Sequence, residues 1–233
     1  MKHSPVTITR SVVVTMLILL PVPAFGGALI SYDDPLERWN RMVFRFNDTL
    51  DTYALKPVAK TYDVLAPKPV QILISNFFSN LGEFRNIASA GIQFKGQDVL
   101  VSSGRLIINS TIGMLGLIDV ATPMGLDKRY SDFGLAFARW GSPSGPYLVL
   151  PMLGPNTLRS GVGLIPDAFA NPIIYHESES DRWIASGINI INRRAQLIDA
   201  EELIFGDRYT FIRDSYLQRR EYLITGQLPE DDF

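Results

Sequence analysis

The stretch Asp34-Pro35-Leu36-Glu37-Arg38-Trp39-Asn40-Arg41-Met42-Val43-Phe44-Arg45-Phe46-Asn47-Asp48-Thr49-Leu50 decides the fold class. Asp34 suits a helix N-cap, Pro35 suits the first turn, where no backbone donor is needed, and Glu37 stands three residues after the cap. Leu36, Trp39, Met42, Val43, Phe46 and Leu50 recur at helical spacing, with Arg38, Arg41, Arg45 and Asp48 between them. An amphipathic helix with a bulky apolar stripe is therefore expected here, and the rest of the chain repeats the theme.

Upstream, Lys2 and Arg10 precede an apolar run from Val12 to Leu20, followed by Pro21, Pro23 and the small residues Ala24, Gly26, Gly27 and Ala28. That order is the pattern of a secretory signal peptide over residues 1–26, and export is expected. Downstream, Pro57, Pro67 and Pro69 predict a loop-rich crossing. Leu73, Ile74, Phe77, Phe78 and Leu81 then mark a helix from Val70, and a further helix is expected from Glu83 to Lys95, closed by Gly96.

Val99 to Ile118 carries a single charge, Arg105, and has the length of a membrane span. Asn109-Ser110-Thr111 at its middle, with Gly104, Gly113 and Gly116, favours a buried or half-immersed helix ending near Asn109. From Gly113 to Pro172 the chain holds 9 of its 18 glycines and 7 of its 15 prolines, so long regular helices are not expected there. Large apolar residues crowd the same segment, which suits an irregular backbone in a core or beside a passage. Ile184, Ile188, Ile191, Ala195 and Ile198 mark another helix. Tyr209, Ile212, Tyr216 and Leu223 mark the last, with Arg213, Arg219, Arg220 and Glu221 assigned to its solvent side. The expectation is a mostly α domain over 27–225 with a frayed acidic tail, 226–233.

Catalytic chemistry has little to work with. No cysteine occurs, which excludes disulfides, thiolate nucleophiles and cysteine-ligated metals. The formal net charge of −2 argues against a nucleic-acid partner. Gly161-Val162-Gly163 lacks the third glycine of a dinucleotide loop, because Pro166 stands there. Gly141-Ser142-Pro143-Ser144-Gly145 has proline where a nucleophile elbow has serine. Apart from His3, the only histidine is His176, in a short acidic stretch. No catalytic residue, metal site or cofactor is expected.

Two sequence blocks remain. The first is Asp34-Pro35-Leu36-Glu37, Asn40-Arg41, Phe44, Phe46-Asn47, Leu50-Asp51, Lys56-Pro57-Val58-Ala59 and Tyr62. The second is Asn109-Ser110-Thr111-Ile112-Gly113, Gly116 to Ala121, Asp132-Phe133-Gly134, Trp140-Gly141, Gly145-Pro146-Tyr147, Leu150-Pro151, Gly154-Pro155 and Leu158-Arg159. With Asn76 to Leu81 between them, they resemble the VacJ/MlaA family, over essentially the whole chain after the signal peptide.

The resemblance implies a helical, ring-like protein in the inner leaflet of the outer membrane, facing the periplasm. It would pass stray outer-leaflet phospholipid through an amphipathic channel to a periplasmic lipid carrier, held in place by a trimeric porin. It also implies a hairpin-like loop beside the channel, here Phe133 to Leu150. Candidate head-group contacts are Arg159 and Arg182, with Asn109 and Thr111 as weaker partners. Gly113, Gly116, Phe133, Gly134, Gly141, Gly145, Pro146 and Tyr147 are candidates for shaping the channel and hairpin. Leu73, Phe77 and Phe78 are candidates for facing the membrane, and Trp39, Trp140 and Trp183 suit either a membrane interface or a core. Family members commonly carry a lipidated cysteine, so attachment without one is expected to rest on apolar faces or a partner. Two further departures are the apolar Leu135-Ala136-Phe137-Ala138 after Phe133-Gly134, and Ser160 after Arg159. The alternative function is a scaffolding module of the same pathway that conducts no lipid.

Overall fold

The computed structural model describes residues 34–204 and 206–227, so the expected signal peptide and the tail from residue 228 lie outside the described residues. Helix α1 runs Glu37–Leu50. Leu36 rather than Asp34 takes the N-cap position, while the Asp34 carboxylate accepts from the Leu36 N–H at 3.1 Å. The chain then continues through a π-helical turn, Asp51–Leu55, into α2, Lys56–Leu65.

The loop-rich crossing expected around Pro57 is therefore helical. The Lys56 N–H donates to the Asp51 carbonyl five residues back. That wider turn makes room for a proline ring that would clash with a carbonyl four residues back.

Helix α3 spans Lys68–Ile92 without a break, merging the two helices expected over 70–95. Gly82 sits mid-helix with open space around its Cα. One glycine costs a helix about 1 kcal/mol, too little to end it where no capping residue or proline follows. After a short turn, α4, Gly96–Thr111, packs back along α3 as a helical hairpin. Irregular turns lead to α5, Phe133–Arg139, capped by the Asp132 carboxylate accepting from the Leu135 N–H at 2.7 Å.

Strands β1, Tyr147–Leu150, and β2, Gly154–Thr157, pair antiparallel with Tyr147 opposite Thr157. The hairpin expected over 133–150 thus lies at 147–157, because the Asp132 cap commits Phe133 and Gly134 to a helix. Thr157 and Ser160 form a capping box that starts α6, Leu158–Phe169. Two helices follow, α7, Glu179–Gln196, and α8, Arg208–Thr225, the latter closed by Gly226 in the left-handed region.

Helix α1 supplies the missing neighbour of strand β1. The Asn40 amide donates to the Tyr147 carbonyl at 2.9 Å and accepts from the Val149 N–H at 2.8 Å. Two turns on, Asn47 donates to the Leu150 carbonyl at 3.0 Å and accepts from the Met152 N–H at 2.8 Å. Each side-chain amide stands in for a strand's backbone, which closes an edge that would otherwise be left unpaired.

This helix faces the other way from what the stripe suggested. Asn40 and Val43 are buried, whereas Trp39, Met42 and Phe46 are exposed. The same inversion runs through the chain. The largest fully buried side chains include Glu83, Asn40, Asn86 and Asn192, while Phe94 is 93% exposed and Leu65, Ile107, Leu115 and Trp183 are also exposed. Apolar packing is confined mainly to Val43, Tyr147, Val149 and Tyr209, with Phe44, Tyr216 and Leu217 against them.

Candidate functional site

The polar interior is organised around buried arginines. Arg105 on α4 donates from Nε to Glu83 Oε1 on α3 at 3.1 Å, and both side chains are almost wholly buried. Its other nitrogens reach the Asp119 carboxylate at 3.1 Å, the Thr122 hydroxyl at 2.9 Å and the Leu126 carbonyl. Asn109 joins the same node, donating to Asp119 at 3.0 Å and accepting from the Val120 and Ala121 N–H groups. Partial burial pushes the Asp119 carboxyl up, but hydrogen bonds from Thr122, Arg105 and Asn109 outweigh it and hold it at about 2. The glycine-loosened segment after α4 is thus pinned by charge and hydrogen bonds instead of apolar packing.

A second node joins α5, α6 and α8. Arg220, assigned to the solvent side from the sequence, is buried and clasps the Asp132 carboxylate with two nitrogens. The apolar spacing of α8 gives two faces but does not say that a carboxylate awaits one of them. Burial raises the Asp132 carboxyl, and Arg220 more than reverses this, holding it below its ordinary value. Nearby Asp167 accepts the Phe133 N–H at 3.0 Å and has no cation in ion-pair reach among the described residues, so burial pushes it up to about 6. Close packing assists here: a Cβ on Gly163 would stand 2.6 Å from the Gly134 nitrogen, so α5 and α6 meet backbone to backbone.

A group of cations stands apart from the two nodes. The Arg85 guanidinium from α3 lies 4.9 Å from the Tyr130 ring centre, and that of Arg219 from α8 lies 5.5 Å from it. Lys128 from the 112–132 segment feels the charge of Glu83 and of Arg85 and Arg193, and Arg193 from α7 feels that of Arg85. Lys128, Tyr130 and Arg193 are exposed. Desolvation by the neighbouring protein lowers the pKa of both cations and raises that of the Tyr130 phenol. Like charges clustered in this way raise the local potential toward an anion. None of Arg85, Lys128, Arg193 and Arg219 has a carboxylate within 4.0 Å among the described residues, whereas Glu83 and Asp132 are engaged by Arg105 and Arg220.

The residues singled out from the sequence are dispersed. Asn109 is committed to Asp119 and the turn after α4. Exposed Thr111 donates to the Ile107 carbonyl of its own helix at 2.7 Å. Arg159 is half-buried and donates to the Ser142 carbonyl at 2.7 Å, tying the Gly141–Gly145 loop to α6. Burial and the charge of Arg220 lower its pKa. Arg182 donates to the Ile174 carbonyl at 3.1 Å. Gly113 and Gly116 are buried in the turns after α4, where a Cβ on Gly116 would meet Asn80 at 2.5 Å. Gly141 and Gly145 are exposed in the loop before β1, Pro146 is half-buried and Tyr147 is buried in β1.

Phe78 is buried, and Leu73 and Phe77 are half-buried, with Phe77 and Phe78 packed edge to face at 5.3 Å. The outward apolar side chains of α3 are Val70, Ile72 and Phe84. Trp39, Trp140 and Trp183 are all exposed. His176 lies on an exposed turn and accepts from the Ser178 N–H. Sequence reasoning missed Glu83, Arg85, Lys128, Tyr130, Asp132 as an ion-pair partner, and Arg193. The lone charge at Arg105 in an apolar stretch was the only signal available.

Comparison with known proteins is consistent along the chain. The family model described as MlaA lipoprotein matches residues 32–223. The Escherichia coli intermembrane phospholipid transport system lipoprotein MlaA is 32% identical over 201 residues, covering 83% of this chain and 79% of that protein. The Haemophilus influenzae protein of the same name is 28% identical, covering 85% and 82%. An uncharacterised protein of Rickettsia prowazekii is 32% identical over 210 residues, covering 88% and 82%. A solved structure from work on the structural basis for maintenance of bacterial outer membrane lipid asymmetry superposes with a TM-score of 0.70 at 33% identity. It covers 83% of this chain and all of that one.

Proposed function

Because the chain belongs to the MlaA lipoprotein family, we propose that it serves outer-membrane lipid asymmetry as a phospholipid conduit. In this reading phospholipid that has strayed into the outer leaflet enters a ring-like protein seated in the inner leaflet. It leaves on the periplasmic side toward a soluble lipid carrier, and no bond is made or broken. The inverted interior carries the reading: charge and amides inside, large apolar side chains outside. Apolar surface gains roughly 25 cal/mol per Å² on leaving water, so such an exterior belongs in acyl chains. Among the described residues no helix is long and apolar enough to cross a membrane, which fits a protein lying within one leaflet.

A phospholipid needs a polar route for its head group and an apolar outlet for its chains. The cation cluster at Tyr130 and the exposed apolar faces supply the two chemistries. With no cysteine in the sequence, attachment rests on those apolar faces and on a porin partner. Nothing in the process asks for a nucleophile or an acid–base pair, and the reading is of a non-enzymatic protein.

The test is phospholipid exposed on intact cells, labelled with a membrane-impermeant amine reagent, with and without this gene. More labelled lipid in the deletion strain, restored by the cysteine-free chain, is the expected result. Unchanged labelling would overturn the conduit and favour a scaffold that recruits carrier and porin.

A further inference from the structure

We propose that Arg85 and Arg219, which flank the Tyr130 ring, together with the neighbouring cations Lys128 and Arg193, form a phosphate-reading site that accepts the phosphodiester of a phospholipid. The proposal rests on the conduit reading and names the group by which it recognises its cargo. Four elements carry these cations: α3, the 112–132 segment, α7 and α8. The Arg85 and Arg219 guanidinium groups lie 4.9 and 5.5 Å from the Tyr130 ring centre, which holds them near each other despite like charge. Arg85 also donates from Nε to the Ser131 carbonyl at 3.2 Å, and Lys128 donates to the Ser79 hydroxyl. The first bond leaves the two terminal nitrogens of Arg85 available, and the second uses one of the three N–H donors on Lys128 Nζ.

The local charge balance favours an anion. The facing carboxylates Glu83 and Asp132 are each engaged by a buried arginine. The third, Asp167, is raised by burial to about 6 and lies close enough for its charge and that of Arg85 to be felt, so near neutral pH it sets one negative charge against four cations. A cluster of cations without carboxylate partners stabilises little by itself and repels itself. A phosphodiester offers one delocalised charge and two unesterified oxygens, the geometry that guanidinium forks bind best. Tyr130 adds a hydroxyl that already donates to Asp132 at 3.1 Å.

The same chemistry would take free phosphate, so the test separates the two sources. Full-length protein in a maltoside detergent is titrated calorimetrically with dihexanoyl phosphatidylglycerol, with dihexanoylglycerol lacking the phosphate, and with inorganic phosphate. The phospholipid is expected to bind at least tenfold tighter than the diacylglycerol. The double variant Arg85→Gln/Arg193→Gln is expected to lose that tenfold preference while diacylglycerol binding stays unchanged. Arg85→Lys/Arg193→Lys, which keeps the charge, should hold most of it, and Arg182→Gln, outside the cluster, should hold all of it. Unchanged preference in the glutamine variant would overturn the site and leave the conduit standing. Equal binding of the two lipids would also overturn the site, and the cell-surface labelling would still judge the conduit. Phosphate binding with no added affinity for the phospholipid would reduce the cluster to a simple anion site and overturn the lipid assignment.

Discussion

Arg105 and Glu83 meet at 3.1 Å on paired helices, with side chains only 2% and 1% exposed. Removing one member strands the other as a buried charge, which costs about 3–5 kcal/mol. Arg105→Met should therefore lower the denaturation midpoint in detergent by that equivalent. The double variant Glu83→Leu/Arg105→Met should lose less than the sum of the two single changes. Additive losses would mean that the two residues are not energetically coupled.

The two asparagines of α1 that border β1 make a separable prediction. Asn47→Ala removes a donor to Leu150 and an acceptor for Met152. The expected cost is about 1–3 kcal/mol, with faster amide hydrogen exchange at Met152 in the variant than in the parent, while Val149, whose N–H is held by Asn40, stays protected. Equal protection in variant and parent would show that the hairpin holds without its helix neighbour.

Asp167 sets a pH dependence. Its carboxyl is raised from 3.8 to about 6 in the folded protein, so the native state keeps its proton over a range where the unfolded chain has lost it. Stability from this group is present below about pH 4 and is lost as pH rises through 6. Asp167→Asn retains an acceptor for the Phe133 N–H and abolishes that loss. The variant should melt higher than the parent at pH 7.5 and alike below pH 4. A difference at acid pH and none at pH 7.5 would contradict the assignment.

At the α5–α6 crossing, Gly163→Val places atoms within 2.6 Å of a backbone nitrogen. Overpacking of this kind costs about 1–3 kcal/mol or more. Gly91→Ala, on the exposed side of α3 with open space around it, should instead be neutral or slightly stabilising. Thermal melts of the two variants decide whether contact or mere helical glycine content matters.

Helix positions were legible because periodicity and caps are local properties. Trp39, Met42 and Phe46 mark a face, whereas the ends read from Asp34 and Gly96 are displaced, since Leu36 takes the N-cap and Gly96 opens a helix. Which face turns inward was not legible, because apolar-side-in assumes water outside, and the same spacing serves lipid outside. Arg220 and Asp132 are 88 positions apart, and Asn40 and Tyr147 are 107 apart. Pairings at such separation leave no periodic trace. The Tyr130 cluster draws one or two residues from each of four segments, so no single stretch betrays it. Arg159, in a recognisable block, and Arg182, outside any, were candidates as charged donors, yet the first ties down a loop and the second donates to a carbonyl.

The inverted interior changes how the folded state responds to temperature. Unfolding of an ordinary domain uncovers apolar groups, and their hydration gives a large heat-capacity increment and a steep denaturant slope. Here Val64, Leu65, Phe94, Met152 and Trp183 are already bare in the native state, while unfolding releases buried amides and ions whose hydration contributes with the opposite sign. In water the increment is therefore expected to be smaller than that of an apolar-cored domain of similar size, and the stability curve flatter. Acyl chains or detergent deepen the curve by covering what water would otherwise touch, so the solvent around this protein acts as the outer half of its core.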